Sequence, residues 1–277
     1  MSGGFLEQMA ALSRARVRAA RARQSQAALE EICRQSPAPP ALRRDARGFD
    51  LIAELKLRSP AAGLLGAASA DMPRQVNAYA RAGAAAVSVL TEPERFDGSL
   101  EHLAAAARSL APFAVPALRK DFLVDPYQVL EARAAGAGGV LVILRMISRA
   151  EIASLLECAH AQGLFVLLEA FDTADLELMH EVVADHAAPA MLLAGVNCRD
   201  LGTLEVRPQR LLELAPHLPA RLPHVAESGV ATAADAAAAA VAGYQLILVG
   251  SALMRAADPE ALARTLLAAG RAARRVA

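Results

Sequence analysis

From Asp50 onward the chain alternates two patterns. Short, continuous apolar runs give way to longer stretches in which apolar positions recur at helical spacing. The runs are DLIAEL, AAVSVL, FAVPALR, GVLVIL, LFVLLE, LLAGVN, PHVAE and QLILV, ending near Glu54, Leu90, Arg119, Leu144, Glu169, Asn197, Glu227 and Val249. Strands apolar on both sides of the pleat belong to a parallel sheet covered on both faces. Each gap is long enough for a loop, a helix and the next strand. Ser148 and Glu151 form a capping box before one helix, and Thr232 and Asp235 resemble a second. Gly243 sits where that second helix must stop, and Gly83, Gly136 and Gly163 similarly precede strands. Eight strand–helix units predict an α/β fold, a closed (β/α)8 TIM barrel. A doubly wound open sheet is the alternative; it would carry a GxGxxG turn after its first strand, and none is present.

Ahead of the barrel, residues 5–35 read as one Arg-rich amphipathic helix, ended by the breaker Ser36–Pro40. A solvated helix packed on the barrel is the plain reading. A basic patch or a transit peptide is the competing one, and Glu7, Glu30 and Glu31 count against the latter. The 277 residues are thus expected to form one domain, with residues 1–49 as a helical extension and 50–277 as the barrel.

Composition narrows the class. Twenty-nine cationic and 29 acidic side chains leave no net charge, so neither nucleic acid nor a membrane surface is an expected partner. No apolar run approaches the ~20 residues of a membrane span, and residues 1–20 lack the apolar stretch of a signal peptide. Cys33, Cys158 and Cys198 are scattered without metal-ligand spacing, which fits a reduced cytoplasm. Of the 29 cations only two are lysines, Lys56 and Lys120, and both follow predicted strands. Arginine bias explains the excess of arginine, not where the exceptions fall. A partly buried ammonium can release its proton near neutral pH, whereas a guanidinium cannot.

In such barrels chemistry sits at the C-terminal ends of the strands. Ionisable residues gather there: Glu54 and Lys56 after the first strand, Arg119, Lys120 and Asp121 after the third, and Glu169 after the fifth. Asn197 and Arg199 follow the sixth, and Glu227 ends the seventh. Any one of these could simply pair with an arginine. Together they make a mouth where carboxylates and amines shift one another's pKa values, as proton transfer near neutral pH requires. The turns Ser228-Gly229 and Gly250-Ser251 suggest a phosphate seat, with bare amides and a short helix beginning at Ser251. The six histidines form no constellation, and no metal cluster or Ser–His–Asp arrangement stands out.

At these residues the chain resembles the indole-3-glycerol phosphate synthase family. The matching stretches are IAELKLRSPAAG, VSVLTEPERFDGS, VPALRKDFLVDPYQVLEARAAGA, LLEAFD, AGVNCRDLGTLEV, VAESGV and LVGSALMRAADP, spread over residues 50–260. The resemblance implies an enzyme, a carboxy-lyase of tryptophan biosynthesis acting on 1-(2-carboxyphenylamino)-1-deoxyribulose 5-phosphate. It implies a small phosphorylated substrate as the partner, no cofactor and no metal, and a monomer or weak homodimer. Lys120 would be the general acid of ring closure, and Lys56 would stand near the substrate anions with a share of the acid chemistry. Glu54 pairs with Lys56, and Glu169 would serve as acid or base in the dehydration. Asn197, Glu227 and Arg199 would hold hydroxyls and carboxylate, with Ser59 near the carboxylate. Phe96, Phe122, Leu141 and Leu201 would form the aryl slot. Ser228, Gly229, Gly250 and Ser251 would cradle substrate and phosphate. The extension would pack over the mouth.

The chain departs from the family pattern at Ala61, Ala62, Arg95, Gly138–Gly139 and Cys198, none of them a proposed proton carrier. A paralogue doing the same chemistry in a secondary-metabolite pathway would carry the same residues. So would a barrel that binds a phosphate ligand without turnover. An aminoaldose isomerase would instead need a Cys–Asp pair, and Cys198 should point away from the mouth.

Overall fold

The computed structural model describes residues 4–59, 63–64, 71–186, 191–200 and 203–275. Eight strands are parallel: β1 (Asp50–Leu55), β2 (Ala86–Leu90), β3 (Ala117–Lys120), β4 (Gly139–Ile143), β5 (Phe165–Ala170), β6 (Leu192–Asn197), β7 (His224–Glu227) and β8 (Leu246–Val249). Each pairs with its sequence neighbours, and β8 pairs with β1, so the sheet closes on itself as a barrel. Helices between the strands form the outer ring. The capping boxes of Ser148 with Glu151 and of Thr232 with Asp235 both form. Gly83, Gly136, Gly163 and Gly243 all take positive φ at the helix-to-strand turns.

Strand alternation divides the apolar residues into two shells. Leu51, Val87, Val140, Val166, Ala194 and Ile247 face outward and pack on the helices. Ile52, Leu118, Leu167 and Val225 face inward and fill the barrel, with Phe165, Leu193, Leu246 and Leu248. The pair Gly138–Gly139 has a packing reason. A Cβ at Gly139 would stand 2.5 Å from the Phe165 ring, and one at Gly138 would stand 2.7 Å from the Pro40 carbonyl and 2.6 Å from Pro116. One glycine makes room for the aromatic filling the barrel; the other lets the extension pass beneath it.

Several details differ from the expectations. The stretch read as one helix is two: α1 (Phe5–Arg23) and α2 (Gln26–Gln35). Gln24 is extended and Ser25 accepts a hydrogen bond from the Ala28 amide, so a serine cap restarts the helix where periodicity ran on. The third strand begins at Ala117, not Phe113, because Ala111–Phe113 is a 3-10 turn and Ala114 is left-handed. The fourth ends at Ile143, since Leu144 opens another 3-10 turn. A two-stranded hairpin, Arg58–Ser59 with Gly63–Leu64, follows β1 and is too short to leave a periodic signal. Ala61 and Ala62 lie outside the described residues.

The extension crosses the mouth. Met9 of α1 is buried in the same apolar cluster as the barrel interior. Phe5 stands edge-on to Phe122 with ring centroids 5.8 Å apart. Among the described residues no helix is long and apolar enough to cross a membrane.

Gly139→Ala should destabilise the fold by about 1–3 kcal/mol, the usual cost of overpacking a filled core. An unchanged denaturant midpoint would contradict the assigned contact with Phe165.

Candidate active site

The inward side chains of a closed eight-stranded barrel stack in layers of four, each layer drawn from alternate strands. Stepping two residues up from Ile52, Leu118, Leu167 and Val225 reaches Glu54, Lys120, Glu169 and Glu227. The pleat therefore places three carboxylates and an ammonium in one layer atop an apolar barrel. Lys120 Nζ lies 3.5 Å from Glu169 Oε1 and 3.7 Å from Glu227 Oε2. Lys56, one step above Glu54, meets it at 2.6 Å. Asn197 donates to Glu169 Oε1 at 2.7 Å and accepts from the Arg199 amide at 2.9 Å through its own oxygen.

Two glycines make space for this layer. A Cβ at Gly195 would overlap the Glu227 carboxylate, and one at Gly250 would overlap that of Glu54. Gly250, expected only beside a phosphate, therefore also lets the first acid lie flat.

Burial and charge oppose each other here. Burial alone would drive protons off Lys120, but Glu169, Glu227 and Glu54 outweigh it and raise its pKa above the ordinary lysine value. The expectation of an ammonium loosened toward neutral pH is thus reversed, because strand-end positions gather the carboxylates without giving their distances from the ammonium. Burial would push Glu54 up, yet Lys56, then Lys120 and Arg199, hold it below the ordinary value. Glu227 goes the other way: burial and the nearby Glu169 charge raise it well above 4.5, against the pull of Lys120. Neither Glu227 oxygen has a hydrogen-bond partner among the described residues. One layer thus holds acids biased to opposite protonation states.

A cavity of about 490 Å³ opens above it. Glu54, Lys56, Lys120, Glu169, Asn197, Arg199 and Glu227 line it, and so do Phe96, Phe122, Leu141, Ser228, Gly229, Gly250 and Ser251. The rings of Phe96 and Phe122 are 6.3 Å apart and make one apolar wall. Opposite, Ser228 and Gly229 both take positive φ, at 66° and 72°, beside the N-terminus of helix Ser251–Arg255.

Two expected site residues are not placed. Leu201 lies outside the described residues, and of Ser59 only the backbone, in the hairpin, is described. Arg199 lines the cavity, but one of its nitrogens already donates to the Leu204 carbonyl at 2.9 Å. Cys198 is buried against Gly229 and does not line the cavity. His160, His180 and His217 are exposed, and His224 starts β7 at the far end of the barrel. No group of three or more acidic, cysteine or histidine side chains able to hold a metal occurs among the described residues.

Phe5, Leu204 and Arg255 also line the cavity and went unread in the sequence. Phe5 arrives from a helix far along the chain, which strand-end counting cannot reach. Arg255 was legible as the last residue of the short helix that begins at Ser251.

Residues 6–266 match the family described as indole-3-glycerol phosphate synthase. The indole-3-glycerol phosphate synthase of Mycolicibacterium vanbaalenii is 42% identical over 262 residues, covering 93% of this chain and 91% of the relative. That of Mycobacterium tuberculosis is 40% identical over 257 residues, covering 90% and 89%. Among solved structures, 3-hexulose-6-phosphate synthase from Salmonella typhimurium superposes with a TM-score of 0.60 at 18% identity, over 80% of this chain and 98% of that one. Thiamine phosphate pyrophosphorylase from Pyrococcus furiosus gives 0.58 at 16% identity, over 83% and 99%. At such identities the structural likeness speaks for the barrel fold alone.

The Glu227 shift carries a sign that can be checked. A carboxyl whose folded pKa is raised favours the folded state below 4.5, and that advantage is lost as pH climbs toward the raised value. Glu227→Gln, which never ionises, should therefore gain thermal stability relative to the wild type as pH rises from 4 to 8. A melting-temperature difference that stays flat across that span would contradict the raised carboxyl.

Proposed function

The chain belongs to the indole-3-glycerol phosphate synthase family, and we propose that its step in tryptophan biosynthesis is carried out by the layer Glu54, Lys120, Glu169 and Glu227, with Lys56. The observation that carries this reading is the single ammonium of that layer, held between Glu169 and Glu227 and facing the cavity.

The substrate is an arylamino ketose phosphate with a carboxylate on its ring. The ring carbon bearing that carboxylate attacks the ketone, and negative charge develops on the ketone oxygen. Lys120 lies at the cavity floor to stabilise that oxygen and then protonate it. Departure of CO₂ leaves its bonding electrons to the ring and restores aromaticity. The new hydroxyl then leaves as water, taking a proton from an acid while a base removes a proton from the adjacent carbon. Glu169, oriented by its Asn197 hydrogen bond, is assigned as that base, and Lys56 with Glu54 is assigned the acid side. Glu227, biased toward its protonated form, is a neutral hydrogen-bond donor or a proton reserve.

The cavity walls suit the rest of the molecule. Phe96, Phe122 and Leu141, with Leu201 in sequence, are the proposed aryl slot. Arg199 and Ser59 are assigned to the carboxylate. The phosphate is assigned to Ser228, Gly229, Gly250 and Ser251, with Arg255 adding charge. Holding both ends of a flexible chain so that carbon faces carbonyl contributes much of the rate. The reaction class is that of a carbon–carbon lyase, acting in the cytoplasm on a small phosphorylated metabolite. A barrel that binds without turnover would not need the full set of Glu54, Lys56, Lys120 and Glu169, so that reading gains no support.

Purified protein should convert the arylamino substrate to a product with indole absorbance. Lys120→Met should reduce turnover by about 10²–10⁴-fold with the fold retained. Near-wild-type turnover in a folded Lys120→Met protein would remove Lys120 from the role.

A further inference from the structure

The loop that follows Lys120 is tied to α1 by a buried polar network. Arg16 of α1 donates to Asp121 Oδ1 at 2.7 Å and to Glu92 Oε1 at 3.4 Å. Asp121 is the residue next to Lys120. Its other oxygen accepts from Arg119 at 3.1 Å and from Thr91 at 2.9 Å, and its first oxygen also accepts from the Phe122 amide at 2.8 Å. Three residues before Arg16, Ser13 donates to the Phe122 carbonyl at 2.5 Å and accepts from Gln128 at 2.9 Å. Gln128 in turn accepts from the Val124 amide at 2.9 Å. Every link is buried except Arg16, whose side chain is 25% exposed.

This arrangement exceeds what fastening a helix requires. The same helix is also fixed by Arg14 to Glu151 at 2.7 Å and by Arg21 to Asp125 at 2.7 Å, both more exposed. Those pairs reach the starts of two ring helices, Glu151 in the first turn of Arg149–Ala161 and Asp125 as the N-cap of Pro126–Ala134. Arg16 instead reaches the one carboxylate joined by the chain to Lys120 on one side and to Phe122 on the other. An aspartate gripped on both oxygens cannot rotate, so its backbone is held, and with it the direction in which Lys120 and Phe122 leave the strand.

We propose that Arg16 is a positioning residue: through Asp121 it sets the placement of the Lys120 ammonium and the Phe122 ring, coupling the seating of α1 to the assembly of the acid. This rests on the role assigned to Lys120 above. The extension is then part of the catalytic apparatus. When α1 lifts, the aryl slot loses Phe5 and the acid loses its alignment in one event. A displacement of the acid on the order of 1 Å costs on the order of a hundredfold in rate.

The test compares Arg16→Met with Arg14→Met in the full chain. Arg14→Met removes one ion pair between α1 and the barrel, to Glu151; Arg16→Met removes two, to Asp121 and Glu92, and is the one that touches the residue next to Lys120. Steady-state indole formation should show kcat lowered about ten- to a hundredfold in Arg16→Met, with KM changed less than about threefold. Arg14→Met should keep kcat within about twofold, and Arg16→Lys, which retains the charge, should recover part of the loss. Amide hydrogen exchange over residues 120–125 gives a readout independent of turnover, and should quicken in Arg16→Met but not in Arg14→Met. Equal losses in the two variants, with equal exchange, would reduce Arg16 to a fastener and overturn the proposal. If the wild type itself forms no indole, the reaction assignment fails; the exchange comparison still decides whether Arg16 orders the Lys120 loop.

Discussion

Everything at the mouth of this barrel depends on a balance of charges within a largely buried layer. Ionised groups taken out of water cost several kcal/mol each unless they are paired. Three carboxylates and an ammonium share one layer over an apolar floor, and each ionised member has an opposite charge within reach. Lys56 meets Glu54, and Lys120 stands between Glu169 and Glu227. The imbalance that remains is settled by protonation, since Glu227 is the acid pushed toward its neutral form. A cluster with a carboxyl poised on the protonated side can exchange protons with a ligand.

The balance is bought with space as well as charge. Gly195 and Gly250 have no side chain because the Glu227 and Glu54 carboxylates occupy that volume. Below them Gly139 yields to Phe165, so the barrel is filled with aromatic mass. An apolar floor keeps the dielectric low, and a low dielectric makes Lys120 sensitive to its carboxylates. The packing of the lower barrel and the electrostatics of its top are one construction.

The extension completes the mouth from outside the strand pattern. Phe5 and Met9 continue the barrel's apolar interior upward, while Ser13 and Arg16 reach the backbone and carboxylate that follow Lys120. One helix face thus supplies both a greasy wall and a polar grip. Its sequence neighbours Arg14 and Arg21 face other partners. An Arg-rich amphipathic helix that could be read as a solvated bystander is committed to the site by about three turns of its length, from Phe5 to Arg16.

The order of strands, the closed barrel and the level at which its acids stand were written in the sequence. A two-residue side-chain period leaves no freedom once a run is known to be a strand. Glu54, Lys56, Lys120, Glu169, Asn197 and Glu227 could be picked out because strand ends are where a barrel exposes chemistry. The serine restart at Ser25 and the hairpin after β1 escaped notice, since caps and two-residue strands are shorter than any period. Protonation was also out of reach. Lys120 read as a loosened ammonium, and only the folded layer shows three carboxylates outweighing its burial. The distant partners were likewise decided by tertiary structure: Arg16 with Asp121, Phe5 with Phe122, and the glycines that yield to carboxylates. These depend on which atoms meet across the barrel, and spacing along a chain carries no record of that.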